Sequence, residues 1–497
     1  MERQVKSRQR VDDHGEVFTA RREVVAMCDL VNDETRRTEA LFWEPACGEG
    51  NFLLELLERK LRALPSPTAP GEWEAASLRA LASLYGVDLL PDNCQVCRRR
   101  LYDLWANVRD RVYPQCPETV SAGARRILSA NILCGDALTG QAAGGPLLFR
   151  RWIISPQGIA APGEALPPQE MAFDVIISNP PYQRKVNESG KGLGAVPLYQ
   201  KFVALALDCQ PRYVVMILPS RWFSGGVGLE DFRRRMLRCG HLRTMVDYTD
   251  AKDCFPGVDI NGGICYFLWQ ADYRGPCTFT NISGKTVSTA CRDLTEFPLL
   301  FRRNEALPIL RKVTAGGGKM LSAPGGCSPQ TPYGLLSTYG GYPEKQHPDD
   351  CRMLRSRGWV YVPRADIPRS RETVDLYKPT ISKLTCEHAG TPDKAGQYRV
   401  LSRTALLEPG EICSQSYLTV CPCQTREEAE NVLAYLRTKF ARFLLLQTLS
   451  GMNISIRNFS YVPWPDFSRR WADPDLYALY DLTAEEIGYI EHLIREM

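Results

Sequence analysis

The tetrapeptide Asn179-Pro180-Pro181-Tyr182 follows directly on the apolar run Phe173-Asp174-Val175-Ile176-Ile177-Ser178. These residue types suit one chemical task, which is to hold a planar exocyclic amine for alkylation. The lone pair of such an amine is delocalised into its ring, so it attacks an electrophile poorly until acceptors draw on its hydrogens. Asn179 Oδ1 and the carbonyl of Pro180 are two such acceptors. Successive prolines fix φ and donate no N–H, which holds that carbonyl outward at a strand end, and Tyr182 adds a face on which a ring can stack. The plain structural alternative is a Pro-rich turn after a strand.

A second set of residues lies upstream. Trp43-Glu44-Pro45-Ala46-Cys47-Gly48-Glu49-Gly50-Asn51-Phe52 reads as a strand turning into a helix, with two glycines where backbone must pass close to a ligand. The third glycine of a dinucleotide fingerprint is absent, as is the Gly-Lys-Ser/Thr of a phosphate loop; Gly316-Gly317-Gly318-Lys319-Met320 is only a turn. Carboxylates at successive strand ends fit instead a methyl donor with an ammonium, a ribose diol and an adenine. Glu44 can face the ammonium, Asp88 can accept from the ribose hydroxyls, and Asp136 can accept from the adenine amino group. Taken singly, each acid is equally explained as a cap or turn residue.

The elements that must position these groups alternate. Apolar β-type runs fall at 41–44, 84–88, 132–134, 173–178, 213–218, 243–248 and 263–269, with helical patterns between most of them, which predicts an α/β domain built on a parallel sheet. Two Pro- and Gly-rich stretches, 64–72 and 141–169, interrupt it; the second either folds over the active face or is a surface insertion. Beyond residue 270 the alternation fades, and the domain boundary is placed at 270–300. Helical pattern resumes at 425–449, and a last helix is predicted from Ala484, capped by Thr483 with Glu486 three positions on.

Composition sets the bounds. The chain has 497 residues, 44% hydrophobic and 24% charged, as in an ordinary globular protein of two or three domains. No window approaches a membrane span and the first residues do not form a signal peptide, so a cytoplasmic location is expected. Eighteen cysteines are scattered through apolar segments, as reduced buried thiols would be, and no metal is expected from Cys94/Cys97 and Cys421/Cys423. The net charge of +4 conceals an excess of +9 within residues 301–470, where 24 Lys and Arg face 15 Asp and Glu. Arg364, Arg369, Arg371, Lys378 and Lys383 cluster there and are expected to meet a nucleic-acid backbone; a solvated face is the simpler reading.

Taken in order, Asp13-His14-Gly15-Glu16-Val17-Phe18-Thr19, Glu44-Pro45-Ala46-Cys47-Gly48-Glu49-Gly50, Asp88, Asp136-Ala137 and Asn179-Pro180-Pro181-Tyr182 resemble the gamma-class DNA adenine-N6 methyltransferases of bacterial restriction-modification systems, and among them the Eco57I-type methylases. The resemblance covers residues 11–270, and 453–467 also resembles endings in that group. It implies a Rossmann-like class I methyltransferase sheet with helices on both faces, followed by a mixed α+β target-recognition domain. Residues 1–285 would be catalytic, 286–470 would recognise the target, and 471–497 would form a helical tail. The cofactor implied is S-adenosyl-L-methionine, with Thr19, Glu44, Ala46, Gly48, Gly50, Asp88, Asp136 and Ala137 lining its site. Ile260-Asn261-Gly262-Gly263-Ile264-Cys265-Tyr266-Phe267 resembles the motif whose aromatic covers the second face of the target base. Strand alternation sends one of the two aromatics inward, with Phe267 the first choice and Tyr266 the second.

The implied reaction is direct displacement on an adenine flipped from double-stranded DNA, stacked on Tyr182 and held by Asn179 and Pro180, with a separate restriction endonuclease as a possible companion. Four alternatives stand beside it: a cytosine-N4 methyltransferase, an RNA or protein-glutamine methyltransferase, a methylase fused to a nuclease, and a non-enzymatic DNA-binding specificity subunit. The fusion is disfavoured by the few residues ahead of the donor motifs. Pro422-Cys423-Gln424 matches the local motif of cytosine-C5 methyltransferases, but lies far from the donor residues and is read as coincidence.

Overall fold

The computed structural model describes residues 10, 17–65, 72–112, 116–186, 194–226, 228–256, 260, 262–386 and 392–497. Asp13, His14, Gly15, Glu16 and Asn261 lie outside the described residues. The chain divides into two compact units. The first comprises Met1–Ser220, Gly228–Ile260 and Ile264–Pro298, and the second Arg221–Val227, Asn261–Gly263 and Leu299–Met497.

The first unit is organised by β1 (Phe42–Glu44), β2 (Leu84–Asp88), β3 (Ile132–Asp136), β4 (Val175–Ser178), β5 (Tyr213–Pro219), β6 (Leu242–Tyr248), β7 (Ile264–Gln270), β8 (Cys277–Ser283) and β9 (Thr286–Arg292). They form one sheet in the order β9-β8-β6-β7-β5-β4-β1-β2-β3, extended past β3 by two short strands. Strand β1 pairs in parallel with both β2 and β4, β2 with β3, and β4 with β5. Only β7 enters antiparallel among the central strands, between β5 and β6. The central strands carry near-continuous Val, Ile and Leu because both faces are covered, as a buried parallel sheet requires.

One face receives helices α1 (Arg21–Asp29), α2 (Asn51–Arg62), α3 (Pro91–Val112) and α4 (Glu118–Asn131). Met27, Leu53, Leu57, Leu101, Trp105 and Ile127 pack there with Phe42, Leu84, Ile132, Val175 and Ile177 of the strands. On the opposite face Trp43 stacks on Phe173 at 5.4 Å, and Tyr85 meets Phe149 at 5.0 Å. Helix α5 (Tyr199–Asp208) packs on β5 and buries Phe202, Val203 and Ala206 outside the first cluster. Phe149 opens a hairpin, Phe149–Ile154 paired with Ala160–Leu166, built from the stretch at 141–169. Phe149 reaches the aromatic face while Trp152, Ile154 and Ala160 pack with the helix-face cluster, and Tyr85 donates to the Arg150 carbonyl and Trp152 to Asn131 Oδ1. The first residues of the insertion, Gln141 and Ala142, pair with Asp136 and Gly135 at the carboxyl end of β3.

The expected strands are all present, and the sheet runs further than the sequence indicated. The β8–β9 hairpin belongs to the first unit, so a cut at 285/286 falls in its turn. In the second unit, two three-stranded sheets surround a core that includes Tyr333, Met353, Val360, Ile367 and Ile412. Helix Lys439–Thr448 is buried along its length. Residues 471–497 are part of this unit: Leu476, Tyr477 and Ile490 are buried, and the last helix, Ala484–Leu493, begins in the predicted Thr483/Glu486 capping box.

Candidate functional site

Because β1, β2, β3 and β4 are parallel, their carboxyl ends share one edge of the sheet. Glu44, Asp88 and Asp136 end the first three, and Asn179 follows the fourth. Chain order reverses between β1 and β4, and at such a switch point the two connections leave in opposite directions and open a crevice. A cleft lies there, lined by Thr19, Glu44, Ala46, Gly48, Asp88, Asp136, Ala137, Asn179 and Pro181. Seven of the eight residues expected to hold the donor therefore meet in one cavity.

The eighth, Gly50, does not line it. It caps α2 in the left-handed region, at φ 80°, and a Cβ there would lie 2.5 Å from Cys97 Sγ. Its glycine is required by the helix start and by packing against α3, not by contact with a ligand. Gly48 serves the cleft directly: φ is 50° and Phe18 lies where a side chain would extend, with 3.2 Å from a built Cβ to Phe18 Cε1. Phe18, next to Thr19 in the first family motif, also lines the cleft, as do Leu89, Leu90, Asn93 and Phe202, which carried no sequence signal, being apolar or amide residues without a motif. Leu89 is 56% exposed, an apolar side chain held at the rim beside Asp88.

The acids are not equivalent. Glu44 is buried, and its Oε2 has no partner among the described residues. Burial, reinforced by Cys97 and Asp88, holds its carboxyl well above the usual range. A buried carboxyl with one oxygen left open on a cleft wall is costly until a donor arrives, so it fits a cationic group such as an ammonium. Asp88 accepts from the backbone N–H of Gly48 at 2.9 Å, from that of Leu90 at 2.9 Å, and from Asn93 Nδ2 at 3.1 Å. It thereby ties the glycine turn of β1 to β2. Asp136 Oδ1 accepts from Leu138 N–H at 2.9 Å and its Oδ2 has no partner among the described residues.

Asn179 Nδ2 donates to the carbonyl of Val17 at 2.9 Å. An amide nitrogen so engaged leaves Oδ1 as the free acceptor, and among the described residues neither Oδ1 nor the Pro180 carbonyl receives a hydrogen bond. Tyr182 is half-buried, with its ring packed against the apolar cluster and its hydroxyl buried without a described partner. Burial pushes that phenol up, so the residue offers a surface and no proton at neutral pH.

Two expectations need correction. Phe267 is fully buried, its backbone paired with Met216 and Met245 inside the sheet, and it cannot meet an entering ring. Alternation puts Tyr266 on the other face, in the cluster against which Tyr182 packs and which also contains Tyr248 and Phe255. Tyr266 is the better candidate of the two named. Lys378 is also no surface cation: it is 0% exposed, and its Nζ donates to the carbonyls of Val374, Leu376 and Glu408 at 2.6, 2.6 and 3.0 Å. Burial lowers it to about 8. Arg364 pairs with Asp375, and Arg371 donates to the carbonyls of Ile367 and Ala365. Arg369 is exposed and Lys383 partly so. Cys423 donates to the Cys421 carbonyl, and burial raises its thiol to about 12, away from the thiolate a nucleophile needs.

Sheet order and cleft together define a class I methyltransferase fold, with the antiparallel β7 inserted between β5 and β6. Within it, residues 82–255 match the Eco57I restriction-modification methylase family. Over 121 residues the chain is 40% identical to an uncharacterised adenine-specific methylase of Mycoplasma pneumoniae, a match covering 24% of this chain and 29% of that one. The chain thus spans less than a third of that relative's length. Among solved structures, it is similar to the type IIL restriction-modification enzyme MmeI in complex with DNA, at 10% identity and TM-score 0.49, over 93% of this chain and 70% of that one. It is also similar to the type IIG restriction endonuclease BpuSI, at 12% identity and TM-score 0.40, over 95% and 60%.

Proposed function

We propose that the protein is an adenine-N6 DNA methyltransferase that uses S-adenosyl-L-methionine and serves a restriction-modification or related defence system. The observation that carries this reading is the Asn179 amide, whose nitrogen is engaged by Val17 while its oxygen is free beside the cleft of Glu44, Asp88 and Asp136. The bound cofactor supplies an electrophilic methyl on a sulfonium. Glu44 would hold its ammonium, Asp136 its adenine amino group, and Asp88 its ribose, with Leu89 and Phe18 as apolar neighbours. The target adenine, flipped from the duplex, stacks on Tyr182. Asn179 Oδ1 and the Pro180 carbonyl accept from its N6 hydrogens, which raises electron density on N6 and stabilises the positive charge that develops there. Methyl transfer would form the N6–carbon bond with the neutral thioether as leaving group, and the surplus N6 proton would pass to water, so the chain's own residues need only hold and orient the amine. Adenine is preferred over cytosine because of the match to an adenine-specific methylase and the Asn at position 179.

Asn179→Ala should lower transfer of labelled methyl groups to DNA by about 10²–10³-fold while leaving cofactor binding within about threefold. Unchanged transfer would remove Asn179 from the reaction. Glu44 yields a pH prediction with a definite sign. Its raised carboxyl is protonated in the empty cleft near and above the usual carboxylate range, and an ammonium requires it ionised. Cofactor affinity should therefore rise with pH through the raised value, by up to about tenfold per unit, with a proton released on binding. Calorimetry in buffers of differing ionisation enthalpy reads that proton; none released, or the same pH dependence in Glu44→Gln, contradicts the assignment.

Contact with the DNA backbone rests on the charge excess of 301–470 and on Arg369 and Lys383. Arg369→Ala should weaken binding to all duplexes and reduce the slope of log affinity against log salt by about 1. An unaltered slope refutes it.

A further inference from the structure

We infer that Asn51, oriented by Arg100, is a positioning residue for methyl transfer, acting through the Val17–Thr19 backbone to select the Asn179 rotamer that presents Oδ1 to the amine. The inference rests on the methyl-transfer reading of the site.

The need arises from the amide itself. The oxygen and nitrogen of an asparagine side chain are nearly isosteric, so packing does not distinguish the two orientations related by a half-turn about the last side-chain torsion. Hydrogen bonds do. Turned the wrong way, Asn179 would offer N–H groups to an amine that also donates, and the acceptor on which the reaction depends would be lost. The Val17 carbonyl can only accept, so it forms its 2.9 Å bond with Nδ2 and disfavours the reverse orientation. That selection works only if the carbonyl is held in place.

Asn51, the first residue of α2, supplies a hold two residues along the same segment: its Nδ2 donates to the Thr19 carbonyl at 3.0 Å. Asn51 is itself an amide with the same ambiguity, and Arg100 on α3 resolves it. A guanidinium has donors only, so Arg100 Nη1 fixes Asn51 Oδ1 at 2.9 Å and leaves Nδ2 for Thr19. The same nitrogen donates to the Glu49 carbonyl at 2.8 Å, which locates the arginine on the glycine turn. Every link is directional, from a group that can only donate through one amide to a segment whose carbonyls can only accept, and then to the second amide. Phe18, between the two carbonyls, lies against Gly48, so the segment is set by the same turn that lines the donor cleft.

The test uses the full chain, labelled cofactor and plasmid DNA free of adenine methylation, with single-turnover rates at saturating cofactor. Asn51→Asp keeps the acceptor for Arg100 and loses the donor to Thr19. It should slow transfer about tenfold at saturating cofactor, a loss that more cofactor does not restore. In an Asn179→Asp background either orientation of the side chain presents an oxygen, so Asn51→Asp should there cost less than about twofold. An equal loss in both backgrounds, or weakened cofactor binding with an unchanged rate, overturns the inference. If Asn179→Asp is itself inert, the single Asn51→Asp rate decides in the same way, and Arg100→Met gives the same readout should Asn51→Asp not fold. Failure of the underlying reading looks different: Asn179→Ala would then retain full transfer, whatever Asn51 does.

Discussion

The parallel pairing of β1 with strands on both sides is the constraint from which the rest follows. A strand with parallel neighbours must send its connections across opposite faces, and the chain ends of all four strands then gather at one edge. Glu44, Asp88, Asp136 and Asn179 are more than 130 residues apart in the chain at the extremes, yet this pairing makes them neighbours. The apolar β1 and β4 are buried on both faces, so register between them is fixed by burial as well as by hydrogen bonds. The cleft is an outcome of sheet topology, and the motif residues give it chemistry.

Within that frame, buried polar groups divide by whether they are satisfied. Lys378 and Arg442 are buried cations whose donors end on backbone carbonyls. These hold the fold. Glu44 Oε2, the free oxygen of Asp136, Asn179 Oδ1 and the Pro180 carbonyl stand apart, because they border the donor cleft or its hook without a described protein partner. Groups left open at a pre-formed cavity cost stability in the empty protein and repay it on binding, which is the pattern of a binding site. Cys423, half-buried with its thiol donating to the Cys421 carbonyl, lies in the second unit and not among the cleft residues, despite its local sequence.

Much of this was legible in the residues because period and punctuation carried it. Strand ends were marked by acids and glycines after apolar runs, which placed Glu44, Gly48, Asp88 and Asp136 at the cleft, while Thr19, Ala46 and Ala137 came from the family resemblance. What could not be read depended on three-dimensional neighbours. Gly50 and Gly48 look alike in sequence, but only the second borders the cleft, since Cys97 on a distant helix occupies the space beside the first. Lys378 reads as one more cation in a basic run, although its strand, Lys378–Ser382, is buried on both faces and takes it into the interior. The choice between Tyr266 and Phe267 hung on which face of β7 looks toward Tyr182, and a strand of seven buried or half-buried residues does not state its outward face. Asn51 and Arg100 had no signal of their own: their meaning comes from which carbonyls they reach.

The central claim is that one flipped adenine receives its methyl group at the Asn179 hook. Base-resolution mapping of modified bases in DNA, from cells expressing this protein and from the same cells without it, tests that claim most directly. The account predicts N6-methyladenine at one short recurring sequence, present only with the protein. Methylation at cytosine N4 in place of adenine, or none in DNA from cells expressing the folded protein, would contradict it.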